Sequence, residues 1–242
     1  MTASALRALH HGRTPGDPLV LPGPWDAASA RVFEDSGFPA LATPSAGVAA
    51  SLGYEDGATP AAEMFAAVAR IARAVSVPVS ADIEAGYGLA PKELVERLLS
   101  AGAVGCNLED TVDGVLVDAR WQADRLAAVR AAAGDELFVN ARVDTYVTGV
   151  PDGTDQEAET VRRALAYAAA GADGVYPIMA PPEALPRLAA AVTVPLNALS
   201  RPDGPGPRRL GELGAARITF GPGLQRRAMA AVRGFADKLR KA

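Results

Sequence analysis

Short apolar runs and longer amphipathic stretches alternate along the chain, which is typical of strands and helices in strict succession. The pattern predicts eight strands, at Pro18–Leu21, Ala40–Thr43, Val77–Ser80, Val104–Leu108, Leu137–Ala141, Gly174–Tyr176, Val194–Leu196 and Arg217–Phe220. It also predicts eight helices between and after them, at Ala27–Ser36, Ala61–Val75, Pro91–Ser100, Asp118–Ala133, Asp155–Ala170, Pro181–Ala191, Pro207–Leu213 and Gly223–Lys241. Glycines follow several of the predicted helices, where they favour a helix C-terminus.

Alternating strands and helices predict parallel strands joined by right-handed crossovers. Eight such units close into a (β/α)8 barrel of the TIM type, and 242 residues is an ordinary length for one. An open doubly wound sheet is the alternative, but no G-x-G-x-x-G follows the first predicted strand. We therefore expect an α/β protein with a single barrel domain over residues 1–242.

The composition excludes several classes of protein. Hydrophobic residues make up 49% and charged residues 21%, a globular balance, and the net charge of −4 argues against a nucleic-acid partner. No apolar run approaches the roughly 20 residues of a membrane span. The first 16 residues contain no apolar export segment, so we expect a cytoplasmic protein. The single cysteine, Cys106, lies in an apolar stretch and is interpreted as a core residue.

Acidic residues follow two successive predicted strands. Because side chains alternate along a strand, Asp82 and Glu84 share one face, and Glu109 shares a face with Asn107. Three converging carboxylates raise one another's pKa, and a hard cation such as Mg²⁺ would relieve that cost. Ordinary solvated acids are the alternative, but residues 85–88 that follow Glu84 contain no cation to balance them.

The histidines exclude other chemistry. His10 and His11 both lie in the N-terminal segment, which argues against a His-ligated zinc site or a catalytic triad. The reaction would then depend on carboxylates, hydroxyls, arginine and a hard metal. Arg142 ends the fifth predicted strand and could hold a carboxylate in a bidentate grip. Its alternative role is an ion pair with Asp144 or Glu109.

The segment after the second predicted strand is rich in small residues. The turn Ser45–Gly47 can offer backbone N–H groups and a hydroxyl to an anion. The glycines at 53 and 57 bracket a short segment that could act as a mobile lid carrying Asp56. An ordinary surface acid is the alternative interpretation of Asp56.

Several of these segments, taken together and in order, resemble the isocitrate lyase and phosphoenolpyruvate mutase superfamily. The matching segments are Trp25–Ala30, Ser45–Gly47, Asp82–Gly88, Gly105–Asp110 and Asn140–Asp144. They span most of the chain. The resemblance implies a Mg²⁺-dependent barrel, a homo-oligomer (dimer or tetramer), that forms or cleaves C–C or P–C bonds beside a 2-oxo acid.

The resemblance also implies roles for individual residues. Asp82 and Glu84 would contact Mg²⁺ mainly through water, with Glu109 as a third contact. The substrate would be bound by Trp25, Ser45, Ala46, Gly47, Asp82, Arg142 and Asn197. Asp56 resembles the lid aspartate, which attacks phosphorus in the mutases and lies near the metal in the lyases.

The loop after the fourth predicted strand departs from the family pattern. Isocitrate and methylisocitrate lyases carry a Lys-Lys-Cys-Gly-His loop there and the mutases a loop with Lys and Asn, whereas residues 111–118 contain none of these residue types. The resemblance therefore points to the branch that includes oxaloacetate decarboxylases. We expect a Mg²⁺-dependent lyase or decarboxylase that cleaves a C–C bond of a small 2-oxo or 2-hydroxy acid through an enolate. A P–C mutase or hydrolase and a non-catalytic 2-oxo acid-binding barrel are the alternatives.

Overall fold

The computed structural model describes residues 1–241. Its extended segments, numbered in chain order, are β1 Leu19–Val20, β2 Leu41–Ala42, β3 Val79–Asp82, β4 Gly105–Glu109, β5 Thr111–Val112, β6 Val115–Leu116, β7 Phe138–Val143, β8 Gly174–Pro177, β9 Asn197–Leu199 and β10 Arg217–Thr219. All of these except β5 and β6 are parallel strands, whereas β5 and β6 form a small antiparallel hairpin.

The helices lie between and after the parallel strands. They are α1 Ala3–His10, α2 Ala27–Asp35, α3 Ser45–Leu52, α4 Ala61–Ala74, α5 Pro91–Ser100, α6 Ala119–Ala133, α7 Thr145–Thr148, α8 Gln156–Ala169, α9 Leu185–Ala191, α10 Pro207–Glu212 and α11 Gly223–Lys241. None of the helices described is both long and apolar enough to cross a membrane.

The parallel strands curl into a barrel. They form two runs, β2-β3-β4-β7-β8 and β1-β10-β9. A parallel bridge between Val175 and Leu196 joins β8 to the chain entering β9. The Ala42 N–H donates to the carbonyl of Pro22 at 3.1 Å, which joins β2 to the chain leaving β1. The expected (β/α)8 architecture is confirmed, and the carboxyl ends of all eight strands meet at one rim.

The core lies between the strands and the surrounding helices. Small residues on the outer strand faces, such as Ala81, Cys106 and Ala141, pack with helix residues such as Leu94 and Leu126. Small side chains let the helices approach the sheet closely, which explains the alanine-rich composition. Cys106 is fully buried, as expected for a core residue, and burial raises the pKa of its thiol to about 12.

Helix α1, which the hydrophobic pattern did not predict, closes the amino end of the barrel. A Cβ placed on Gly105, the first residue of β4, would lie only 2.8 Å from Leu6 Cδ2. The His10 ring stacks on Phe138, the first residue of β7, with ring centroids 4.3 Å apart. Ala3, Leu6 and His10 are the buried positions of the helix. Their spacing of three and four residues was the signal in the sequence, in a segment too short to stand out.

Other segments also differ from the predictions, among them the β5–β6 hairpin and α7, which the pattern did not predict. The expected strand at Val194–Leu196 begins instead at Asn197, since Pro195 has no N–H and Leu196 makes only an isolated bridge. The expected Ser45–Gly47 turn is the first turn of α3, which continues to Leu52. The segment proposed as a lid, between Gly53 and Gly57, therefore follows directly after a helix.

Candidate active site

The register of the barrel brings the predicted acidic residues to one place on the rim. Asp82 ends β3 and is level with Asn107 in β4, while Glu109 ends β4 and is level with Arg142 in β7. The N–H of Glu109 donates to the carbonyl of Glu84 at 3.1 Å, so the chain beyond β3 stays beside β4. Asp82, Glu84 and Glu109, together called the acidic rim, thus lie at adjacent strand ends.

Asp82 is held by residues from the end of β2. The Ser45 hydroxyl and N–H donate to Asp82 Oδ2 at 2.9 and 3.3 Å. The Thr43 hydroxyl in turn accepts from the Asp82 N–H at 3.2 Å. Asp82 Oδ1 is buried and has no hydrogen-bond donor within residues 1–241. One carboxylate oxygen is therefore fixed by the protein while the other remains open to a ligand.

Glu84 combines backbone strain with an unsatisfied carboxylate. Its φ of 51° lies in the left-handed region, which non-glycine residues rarely occupy outside functional sites and turns. Glu84 Oε1 is buried without a donor among the residues described. Burial raises the pKa of Glu84 to about 7, with Asp82 and Asp56 adding to the effect. The protein therefore provides too little positive charge near Glu84 to offset this rise in pKa.

Glu109 and Arg142 form an ion pair across the ends of β4 and β7. Arg142 Nη1 lies 2.5 Å from Glu109 Oε2, and its Nε and Nη2 donate to Asp144 at 2.6 and 3.0 Å. Burial raises the pKa of Glu109 to about 8 even though Arg142 opposes the shift. Arg142 thus forms ion pairs with both Glu109 and Asp144, which is the alternative role that the sequence analysis gave it. Its contact with substrate remains a prediction.

The acidic rim fits a divalent cation held largely through water. Within residues 1–241, no three His, Cys, Asp or Glu side chains are arranged to ligate one metal ion directly. Asp82 and Glu84 nevertheless present two buried carboxylate oxygens that lack donors. Mg²⁺ binds oxygen atoms and usually retains several water ligands, so indirect contacts of this kind suit it. The donor set therefore agrees with the water-mediated role that the family resemblance implies.

The first turn of α3 offers backbone donors beside Asp82. Pro44 is the N-cap and provides no side-chain hydrogen bond to this helix. The first N–H groups of a helix have no intrahelical acceptor, so those of Ala46 and Gly47 can bind an anion. A Cβ on Gly47 would lie 2.8 Å from Pro44 Cγ, which explains why glycine is needed there. The predicted anion-binding segment is thus a helix N-terminus.

Asn197 lies inside the barrel. It is fully buried, and its amide accepts from Asn140 at 3.1 Å and donates to the Thr219 hydroxyl at 3.0 Å. Asn140 also donates to Asn107 at 2.8 Å. Since Asn107 is level with Asp82, this chain of amides runs beneath the acidic rim. The structure thus gives Asn197 side-chain partners, and its predicted contact with substrate stays a prediction.

Trp25 and Asp56 lie on the outer part of the same rim. Trp25 is half-buried against Phe33, and its carbonyl accepts from the Ser51 hydroxyl at 3.2 Å. Asp56 is exposed, yet it is close enough to help raise the pKa of Glu84. Gly53 and Gly57 both have positive φ, 87° and 79°, at the two ends of the segment. Closure of a lid here remains a prediction.

A cavity of about 910 Å³ opens beside the acidic rim. Glu84 and Glu109 line it together with Trp121 and Arg125 of α6. The β5–β6 hairpin also lines the cavity, through Thr111 and Val112. The sequence analysis did not identify Arg125 or Trp121, because residues on a helix give no periodic signal for facing a cavity formed by distant loops.

Comparison with known proteins shows which families this chain resembles. The sequence model of the family described as phosphoenolpyruvate phosphomutase matches residues 6–240. The crystal structure of a candidate phosphonomutase from Burkholderia cenocepacia J2315 is similar, with 38% identity, coverage of 98% of this chain and 97% of the other, and a TM-score of 0.88. An oxaloacetate decarboxylase of Rhodopseudomonas palustris is 33% identical over 210 residues, which are 82% of this chain and 70% of the relative.

One similar structure carries the metal expected here. A phosphonopyruvate hydrolase solved as a complex with oxalate and Mg²⁺ has 25% identity and a TM-score of 0.86, covering 100% of this chain and 88% of the other. The family model spans nearly the whole chain, and the resemblance noted in the sequence is confirmed. This chain belongs to the phosphoenolpyruvate phosphomutase family, within the superfamily that also contains isocitrate lyase.

Proposed function

We propose that this protein is a Mg²⁺-dependent lyase or decarboxylase that breaks a C–C bond of a small 2-oxo or 2-hydroxy acid. The observation that carries this proposal is the pair of buried oxygens, Asp82 Oδ1 and Glu84 Oε1, without donors in residues 1–241. Buried polar atoms normally have partners, so two open carboxylate oxygens at one rim indicate a ligand. A hydrated cation together with a substrate would satisfy both.

In this proposal the acidic rim binds the metal and the first turn of α3 binds the substrate. Asp82 and Glu84 would hold Mg²⁺ through water, with Glu109 as a third contact. When bound, the ion supplies positive charge where negative charge develops on the 2-oxo group as the C–C bond breaks. The N–H groups of Ala46 and Gly47 would bind the substrate carboxylate at the helix N-terminus.

Several neighbouring residues keep this arrangement in place. Ser45 fixes one oxygen of Asp82, which leaves the other directed to the ligand. Arg142 is held in position by Asp144 and, in this proposal, reaches the substrate with its remaining N–H groups. Asp56 belongs to the segment that would exclude water when substrate is bound. Trp25 and Asn197 complete the proposed substrate-binding residues.

P–C bond cleavage is the second candidate function. It is favoured by the 38% identity to a candidate phosphonomutase and by the position of Asp56 near Glu84. In that reaction the Asp56 carboxylate would form a bond to phosphorus while the P–C bond breaks and the enolate of the 2-oxo acid leaves. An Asp56→Asn enzyme should then lose P–C activity entirely, since an amide is a poor nucleophile. If Asp56 instead orders water near the metal, the same variant should only slow C–C cleavage.

The decisive experiment compares turnover of oxaloacetate and phosphonopyruvate, with Mg²⁺ and with EDTA. Oxaloacetate turnover that EDTA stops supports the proposed lyase or decarboxylase. Phosphonopyruvate turnover in its place would support the P–C alternative. If neither is turned over but oxalate binds in the presence of Mg²⁺, the remaining alternative is a barrel that binds 2-oxo acids without catalysis.

We also propose that the active form is a cytoplasmic homo-oligomer of single-domain barrels that associate through α11. Met229, Val232, Phe235 and Leu239 of this helix are exposed and recur every three or four residues on one face. An apolar face of this kind marks an association surface. Phe235→Glu should shift the mass measured by light scattering to that of a monomer, whereas Lys238→Glu on the same helix should not.

The cellular location and the single domain have tests of their own. Cell fractionation tests the cytoplasmic location, and a single calorimetric unfolding transition tests the single domain.

A further inference from the structure

Three amide side chains form a layer inside the barrel. Asn140 donates to Asn107 at 2.8 Å and to Asn197 at 3.1 Å, so the three residues are joined across the interior. They are not equally enclosed, because Asn140 and Asn197 are 1% and 0% exposed whereas Asn107 is 6% exposed. Asn107 is therefore the amide of this layer that a molecule bound at the rim can contact.

The hydrogen bonds of Asn107 fix the direction of its amide. Its Oδ1 accepts from Asn140 Nδ2 at 2.8 Å and from Arg217 Nη2 at 3.4 Å. A guanidinium has only donors, so the atom of Asn107 that faces Arg217 must be the oxygen. Asn107 Nδ2 therefore points away from Arg217, and it donates to no acceptor within residues 1–241.

This N–H donor lies beside Asp82 of the acidic rim. Asn107 in β4 is paired with Asp82 in β3, and neighbouring strands lie about 4.8 Å apart. Asp82 Oδ1 is buried, yet it accepts from no donor in the described part of the chain, Asn107 included. A donor and an acceptor that both lack partners at one level of the barrel indicate a bound group that contacts them.

Arg217 brings a positive charge into the amide layer. It is 1% exposed, and within residues 1–241 it makes no ion pair and its Nε and Nη1 have no acceptor. Burial lowers its pKa to about 10, so it stays charged at neutral pH. Burying a charge without an acid partner is unfavourable for stability, which indicates a functional role. A charged donor on Oδ1 also makes the N–H of Asn107 a stronger donor.

We propose that Asn107 is a catalytic residue that stabilises the enolate and that Arg217 is its positioning residue. This inference rests on the proposed function and deepens it. When the C–C bond breaks, its electron pair moves to the 2-oxo group, whose oxygen becomes negatively charged. Asn107 donates a hydrogen bond to that oxygen and keeps its proton throughout. A fixed donor placed where charge develops stabilises the transition state more than the bound substrate.

Two ligands separate enolate stabilisation from ordinary substrate binding. Oxalate has a charged oxygen where pyruvate has a neutral carbonyl, so oxalate resembles the enolate. The affinities of both are measured by calorimetry with Mg²⁺. Asn107→Ala should weaken oxalate binding roughly 10- to 100-fold and pyruvate binding much less, because hydrogen bonds to charged groups are stronger. Cys106→Ala, the next residue of β4 but packed in the outer core, should keep the wild-type ratio of the two affinities.

Arg217→Met tests the positioning role. The variant removes a buried charge that has no acid partner, so we expect it to fold. It should weaken oxalate binding more than pyruvate binding, and Arg217→Lys, which keeps a charged donor, should recover part of the loss. Because Arg217 acts through Asn107, adding Arg217→Met to Asn107→Ala should cause no further change in the ratio of the two affinities.

The outcomes distinguish this inference from the proposed function. If the wild-type protein does not bind oxalate with Mg²⁺, the proposed function itself fails. If it binds oxalate, but Asn107→Ala or Arg217→Met keeps the wild-type ratio, the roles given to Asn107 and Arg217 are wrong and the proposed function stands. An equal loss of both ligands in Asn107→Ala would also overturn the catalytic role, since it describes an ordinary contact. Melting curves verify that each variant is folded.

Discussion

Two groups of acids lie near the carboxyl-end rim of this barrel, and they differ in how their carboxylate oxygens are satisfied. Asp110, directly after β4, is fully buried and accepts from the Asp144 N–H at 2.8 Å, from Arg163 at 2.9 Å and from the Tyr167 hydroxyl at 2.7 Å. Asp82 and Glu84 each keep one buried oxygen without a donor in residues 1–241.

The difference separates a structural acid from candidate functional ones. A buried carboxylate with all its hydrogen bonds made inside the protein ties chain segments together, here β4, β7 and α8. A carboxylate with one buried oxygen that lacks a donor is costly in the free protein and becomes favourable when a ligand binds that oxygen. We therefore expect substitutions at the acidic rim to reduce activity and substitutions around Asp110 to reduce stability.

The largest effect is expected from Asp82→Ala. Because Asp82 would help to hold the metal, kcat/KM for a 2-oxo acid should fall by about 10³-fold, or about 4 kcal/mol of transition-state stabilisation. The melting temperature should change little, since the variant removes one open oxygen and two hydrogen bonds at the rim. Steady-state kinetics at several Mg²⁺ concentrations and thermal melts test this. Full activity in the variant would refute a metal role for the acidic rim.

Asp110→Asn should produce the opposite pattern. The change leaves Arg163 without its fully buried acid, although Glu159 still pairs with it at 2.8 Å. The free energy of unfolding should drop by about 3 kcal/mol, towards the lower end of the range for breaking a buried pair. Urea denaturation measures the loss. A stability equal to wild type would remove the distinction drawn between the two groups of acids.

Arg142→Lys tests the residue that connects the two groups. Arg142 pairs with Glu109 on one side and with Asp144, a neighbour of Asp110, on the other. Lysine keeps the charge but cannot form the two parallel hydrogen bonds of a guanidinium. We therefore expect kcat/KM to fall about 30-fold, which corresponds to about 2 kcal/mol of transition-state stabilisation. If only the unfolding free energy falls and kcat/KM is unchanged, Arg142 has a structural role alone.

The smallest effect concerns His10 at the opposite end of the barrel. Burial and the nearby Arg217 lower the pKa of His10 to about 3, from the 6.5 of an ordinary histidine side chain. Between about pH 3 and pH 6.5, the unfolded chain therefore binds a proton at His10 that the folded protein does not bind. Stability should be full above pH 6.5 and decline as the pH falls towards 3, by about 1 kcal/mol between pH 7 and 5.5.

A variant comparison checks this assignment. Denaturation of His10→Gln at pH 7 and 5.5 should show less pH dependence than wild type, whereas His11→Gln, at an exposed position, should retain the wild-type dependence. Equal pH dependence in His10→Gln and wild type would mean that other groups cause the acid sensitivity.

Much of the architecture could be predicted because its signal is local. Alternating apolar runs predicted seven of the eight parallel strands to within about two residues and missed only the start of β9, and helices such as Pro91–Ser100 and Gly223–Lys241 have the predicted bounds. The period of two along β3 and β4 likewise placed Asp82, Glu84 and Glu109 towards one rim. Helix α1 was missed because it is short, and α3 because its small residues resemble a turn.

The sequence by itself thus determined the barrel, its family and the types of side chain at the strand ends, since these follow from residue spacing and from motifs that are contiguous in the chain. Only the tertiary structure decided which of those side chains lack partners. Asp110 is satisfied by Arg163, 53 residues away, whereas Asp82 and Glu84 keep an open oxygen. The tertiary structure also encloses Asn197 in the barrel and places Arg125 beside Gly86. Burial and hydrogen bonding depend on contacts between residues far apart in the chain, and residue spacing does not encode them.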